Sequence, residues 1–279
     1  MWTQRQLVED LTAIGLPSGS AALVHVALQA VGPIEGGPET LTAALREVLG
    51  AEGTLLVPTF SLDRREPAEP GDPPAAEHLQ GEYAAPTPVA NQASMYGTDV
   101  LAEALLLLPD AFRSDHPALS FAAIGAEAEA LTSHAPFHYP LGSEGPLARL
   151  HRRNGWILLI GVGHAHNMSL HLAEIWAEMP YVHRSAQLQS VSGEETTMLG
   201  SPGCSAGFTK IESLLRQSRI VRRGSIGDAD SQLMRQQQTV SMAVTTLKGN
   251  PAALLCEDEA CRPCTLARRM TAKQVSDPI

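Results

Sequence analysis

Residues 155–163 read GWILLIGVG, and this stretch decides the fold. Trp156, Ile157, Leu158, Leu159 and Ile160 form an unbroken apolar run between glycines. An apolar run of strand length makes this the strongest strand signal in the chain. The chain then turns polar, with HAHN at 164–167, and residues 169–178 take up helical spacing. Ligand sites in open α/β sheets lie outside the carboxyl ends of strands, and this polar cluster follows such an end.

Working toward the N-terminus, the same architecture repeats. Residues 4–14 carry Leu7, Leu11 and Ile14 at helical spacing, with Gly15 as a stop signal. Residues 21–26, AALVHV, read as a buried strand. The turn GPIEGG at 32–37 leads to Pro38, well placed in the first turn of a helix, and Leu41, Ala44, Leu45 and Val48 mark its apolar face. A second strand is expected in GTLLVPTF at 53–60, ended by Pro58. Helix, strand, helix, strand is an α/β layer pattern.

Further on, helices are expected at 100–108, 126–131, 146–153, 209–215 and 230–247, and a strand at 120–125. Residues 62–94 differ. Pro67, Pro70, Pro73, Pro74, Pro86 and Pro88 make them a long irregular loop. The whole chain, 1–279, is read as a single domain carrying this loop.

Composition narrows the function. The net charge of −10 and the lack of a basic stripe speak against nucleic-acid binding. An acidic surface suits a cationic small molecule, or simply solubility. No stretch approaches the roughly 20 apolar residues of a membrane span, and MWTQRQLVED at 1–10 has no leader-like apolar run. The four cysteines, Cys204, Cys256, Cys261 and Cys264, are not spread as a secreted disulfide framework would be. A cytoplasmic protein is expected, as monomer or homodimer.

Several groups of residues could carry chemistry. The turn between Leu28 and Gly37 would let backbone approach a ligand, and the next helix N-terminus favours phosphate. Ordinary strand-to-helix turns look the same. His116 precedes Pro117, which pushes it toward extended geometry, and histidine is suited to accept a proton near neutral pH. His171 and Glu174 are spaced to share one helix face; a carboxylate there could orient a histidine elsewhere in the fold or bind a cationic amine. His164, His166 and His171 could instead be ligands of a metal-dependent hydrolase. Cys256, Cys261 and Cys264 lack an assured fourth ligand. Cys204 could serve, but buried free thiols explain the pattern as well. No metal is expected.

Taken in order, the motifs resemble the aminoglycoside 3-N-acetyltransferase family. They are VHVAL at 24–28, GPIEGG at 32–37, GTLLVPT at 53–59, SMYG at 94–97, RSDHPALS at 113–120 and NMSLHLAE at 167–174. The resemblance implies a central mixed β-sheet flanked by helices and transfer of an acetyl group from acetyl-CoA to an aminoglycoside amine, with antibiotic resistance as the result. Another amine is the alternative acceptor.

The resemblance also implies site residues. His116 would be the general base and Glu174 its partner. Acetyl-CoA would lie along Leu28, Gln29, Ala30, Val31, Gly32, Gly36 and Gly37, with Thr59, Ser61, Ser94 and Ser120. Asp63, Glu82 and His171 would meet the acceptor. Val26 and Ala27 depart from the family pattern, replacing two serines usual there.

Overall fold

The computed structural model describes residues 1–60, 78–80, 99–189 and 195–276. Its helices are α1 (Gln4–Ala13), α2 (Leu28–Val31), α3 (Gly37–Leu49), α4 (Asp99–Leu106), α5 (Ala128–Thr132), α6 (Pro146–Arg152), α7 (Ser169–Trp176), α8 (Glu212–Gln217), α9 (Gln236–Gly249) and α10 (Arg262–Ser276). The strands are β1 (Ala21–Val26), β2 (Thr54–Pro58), β3 (His78–Gln80), β4 (Phe112–Arg113), β5 (Phe121–Gly125), β6 (Trp156–Ile160), β7 (Ser185–Gln189), β8 (Glu195–Leu199), β9 (Val221–Ile226) and β10 (Ala229–Arg235).

A seven-stranded mixed sheet runs β4-β5-β2-β1-β6-β10-β9. At its centre β1 pairs in parallel with β2 on one side and β6 on the other. β5 and β10 flank this parallel trio and run antiparallel to it. A separate three-stranded sheet has the order β3-β7-β8.

Every residue of β1 and of β6 is buried, because helices cover both faces. Alternation then sorts the side chains. Ala22, Val24 and Val26 of β1 and Leu158 and Ile160 of β6 pack with Leu7 and Leu11 of α1, Leu41 and Leu45 of α3, and Leu101 of α4. Ala21 and Leu23, with Ile157 and Leu159, face Leu147 of α6, Leu172 of α7 and Val240 of α9. Each layer buries a helix stripe, which at about 25 cal/mol per Å² of apolar area is the main stabilising term.

Local chemistry sets the element ends. Thr3 caps α1 reciprocally with Gln6, and Gly15 leaves the helix with φ +90°. Pro38 sits in the first turn of α3, where its missing N–H costs nothing.

The reading of 230–247 as one helix is corrected. Residues 229–235 are β10, paired antiparallel to β6, and only Gln236–Gly249 is helical. Gln232, Leu233, Met234 and Arg235 favour helices intrinsically, but β6 needs a second hydrogen-bonding neighbour and that pairing overrides propensity. A signal was present. Gly227 and Asp228 form a two-residue turn between Ile226 and Ala229, with Gly227 at φ +57°, as a tight hairpin requires. The expected helix at 209–215 divides into a 3₁₀ segment, Ala206–Ile211, followed by α8. Within the loop read as irregular, β3 pairs in parallel with β7.

Candidate active site

The parallel strands β1, β2 and β6 end at one edge of the sheet, so Ala27, Thr59 and Gly161 emerge together. Ala27 donates its N–H to the Ile160 carbonyl (2.9 Å) and starts α2 without a side-chain cap. The first N–H groups of α2 therefore keep no side-chain acceptor. Gly161 adopts φ +65°, and a Cβ there would strike the Ala30 methyl. The glycine is what lets α2 lie against the end of β6.

Beside Ala27, a polar knot ties β2 to the 113–120 segment. The Thr59 and Ser120 hydroxyls are 2.8 Å apart. Ser120 Oγ lies 2.9 Å from the Thr59 carbonyl and receives Arg113 Nε–H at 3.0 Å. Thr59 and Ser120, both expected at the cofactor site, are thus brought together.

His116 lies in the same segment and is buried. Its Nδ1 accepts the N–H groups of Ala118 (3.1 Å) and Leu119 (2.8 Å). Nδ1 must then be unprotonated, so Nε2 carries the proton and donates to the Phe137 carbonyl at 3.2 Å. Burial, partly offset by that carbonyl and by Asp115, lowers its pKa to about 4. Both ring nitrogens are committed to backbone, which holds the turn before β5.

Glu174 has a different partner from the one expected. Its Oε2 lies 2.8 Å from His171 Nδ1, and both side chains are almost wholly buried. The reason is local: α7 places residues three apart on one face, while the turn already engages the His116 ring. His171 Nε2 is buried with no hydrogen-bond partner among the described residues. The His171 ring packs against Phe208, centroids 4.8 Å apart. Tyr181 donates to the Pro251 carbonyl at 3.1 Å, and burial together with Glu174 raises its pKa, keeping the phenol protonated. His171 and Glu174 line a pocket closed by Leu141, Ile175, Tyr181 and the segment from Gly200 to Gly203.

The remaining expected residues divide clearly. Leu28, Gln29, Ala30 and Val31 form α2 at the sheet edge, where Val31 is buried. Gly32 packs against the Asp228 carboxylate, and Gly36 (φ +75°) and Gly37 (φ +68°) begin α3. Ser61, Asp63, Glu82 and Ser94 lie outside the described residues. The three histidines read as metal ligands do not converge. His171 bonds Glu174, His164 Nδ1 sits 3.4 Å from Asn167 Nδ2, and among the described residues the one cluster with ligand spacing is the four cysteines. The sequence reading missed Tyr181 and Phe208. Nothing local marks either of them; they are conspicuous only as aromatics near the glycine-rich stretch at 200–203 and near Pro180.

Comparison with known proteins gives this geometry a family. The family model for aminoglycoside 3-N-acetyltransferase matches residues 23–248. Aminoglycoside N(3)-acetyltransferase VII of Streptomyces paromomycinus is 35% identical over 265 residues, covering 88% of this chain and 91% of that protein. A crystal structure of a variant of aminoglycoside acetyltransferase AAC(3)-IVa in complex with gentamicin aligns with TM-score 0.79 at 31% identity, covering 96% of this chain and 97% of that one. The binary structure of AAC-IIIb with CoASH aligns with TM-score 0.73 at 30% identity, covering 89% and 97%. The chain belongs to the aminoglycoside 3-N-acetyltransferase family. It is an acyltransferase with the mixed-sheet fold of that family.

Proposed function

We propose that this enzyme, working as one domain, transfers the acetyl group of acetyl-CoA to the 3-amino group of an aminoglycoside, with His171 as general base and Glu174 as the carboxylate that orients it. The observation that carries this reading is the buried pair. His171 Nδ1 donates to Glu174 Oε2 at 2.8 Å, which fixes the tautomer with the Nε2 lone pair available. A carboxylate behind a histidine favours its cationic form as it takes a proton. His116 offers no such lone pair, because its nitrogens hold the backbone of its own turn.

Acetyl-CoA supplies the activated thioester carbonyl. An amine is mostly protonated at neutral pH and attacks only after losing that proton. In the reaction the amine nitrogen forms a bond to the carbonyl carbon and the carbon–sulfur bond breaks. The amine proton passes to His171 Nε2 and then to the departing thiolate. General-base assistance of this kind contributes about 10²- to 10⁴-fold. Acetyl-CoA lies along α2 and the start of α3, past Thr59 and Ser120. The uncapped N–H groups of α2, or the Thr59 hydroxyl, meet the oxyanion. Ser61 and Ser94 complete the cofactor side, and Asp63 and Glu82 attract the cationic acceptor.

The test is thiol release from acetyl-CoA with a panel of aminoglycosides, comparing wild type, His171→Ala and His116→Ala. Acceptor-dependent release that collapses in His171→Ala supports the reading. No release with any member of the panel rejects the aminoglycoside and leaves another amine to be sought. Release unaffected by His171→Ala rejects the base.

A further inference from the structure

Cys204, Cys256, Cys261 and Cys264 stand apart from the acetyl-transfer residues, and the fold gathers them. Their four sulfur atoms all lie within 4.8 Å of one another, and none is in a disulfide. Cys204 comes from the segment before the 3₁₀ turn Ala206–Ile211, Cys256 from the loop after α9, Cys261 from the position just before α10, and Cys264 from its first turn. The sequence left the position of Cys204 open; the tertiary structure closes that gap. We propose that these four thiolates bind one structural zinc ion.

The geometry favours zinc on two counts. A tetrahedral ion with sulfur at about 2.3 Å requires sulfur–sulfur distances of roughly 3.8 Å, so four sulfurs already this close need only a small contraction. A backbone donor also serves the cluster, as is usual around metal-bound thiolates. Cys264 Sγ accepts the Cys256 N–H at 3.4 Å. Arg268 donates to the Cys256 carbonyl, fixing the loop against α10. Four sulfur ligands close the coordination shell, leaving no position for substrate or water.

The consequence reaches the pocket. Cys204 directly follows Gly200, Ser201, Pro202 and Gly203, which line the pocket around His171. Phe208, on the other side of Cys204, packs on the His171 ring. Zinc would anchor this segment to α10 and so act as a positioning element for the pocket wall.

The experiment is metal analysis of the intact purified protein by inductively coupled plasma mass spectrometry, with cobalt substitution read by its thiolate charge-transfer and tetrahedral d–d absorption. About one zinc per chain and an all-sulfur tetrahedral cobalt spectrum are expected. Cys204→Ser should lose its zinc on dialysis against a chelator that leaves the wild-type ion in place. Purified wild type with less than about 0.1 zinc per chain and four freely titrating thiols would overturn the proposal. Stoichiometric iron would also overturn it, as would a Cys204→Ser variant that holds zinc like wild type. These readouts are independent of acetyl transfer.

Discussion

His171 Nδ1 and Glu174 Oε2 are 2.8 Å apart inside the protein, and the opposite nitrogen of that imidazole has no partner among the described residues. An unpaired buried nitrogen costs about 1–3 kcal/mol. Under the proposed mechanism that cost is offset when the substrate amine donates to it. Replacing His171 with Ala should lower kcat for acetyl transfer on the order of 10²- to 10⁴-fold. Glu174→Gln should lower kcat in the same direction, since an amide can accept from Nδ1–H but cannot stabilise the imidazolium. Steady-state thiol release checks both, and a change confined to KM would contradict them.

His116 should behave as a structural residue. His116→Ala removes the acceptor for two backbone N–H groups and the donor to Phe137. Loss of stability of about 2–4 kcal/mol is expected in urea unfolding, since each orphaned group costs about 1–3 kcal/mol. His116→Asn should recover part of it, because an Asn side chain can accept N–H groups two residues on. If instead kcat fell 10²-fold with stability unchanged, the ring would be acting on substrate.

Stability should fall as pH drops below neutrality. Burial, and then the neighbouring His166, push His25 down to about 3, and burial lowers His116 to about 4. Both have a folded pKa below the unfolded value of about 6.5. Their contribution is complete above pH 6.5 and is lost as pH falls through the folded values, because the unfolded chain binds protons the native state refuses. Each histidine contributes on the order of 1 kcal/mol per pH unit over that window. Unfolding midpoints between pH 7 and 4 should show this slope, and His25→Leu should flatten it by about one proton.

Gly161→Ala tests the sheet edge. The new methyl would meet Ala30 while the backbone holds φ +65°, so α2 must shift or the turn must strain. A left-handed alanine costs about 1–2 kcal/mol before any clash. A lower unfolding midpoint is expected, with a raised KM for acetyl-CoA and a smaller change for the acceptor. Equal effects on both KM values would argue that α2 does not contact the cofactor.

The sequence by itself determined α1, β1, α3 and β2 of the first sixty residues, though not α2, which falls within the expected Leu28–Gly37 turn, together with the apolar core strand at 156–160 and the ordered motifs that carry the family. Those features are local: periodicity, glycine and proline at turns, and caps act within a few residues. Glu174 was legible as a carboxylate that could hold an imidazole, while His116 was read as the general base and only the structure shows it bound to the backbone of its own turn. The i,i+3 spacing that pairs Glu174 with His171 was also present in the sequence; that His116 is not free to take this carboxylate was decided only in three dimensions. The 113–120 segment and α7 are far apart in sequence, and the backbone around His116 used both its nitrogens before any partner could. The same limit hid β10, whose helix-forming residues become a strand because β6 offers a long-range hydrogen-bonding edge. It also hid the meeting of Cys204 with Cys256, Cys261 and Cys264, since packing of the 206–211 turn against the C-terminal segment sets that distance and no spacing in the chain records it.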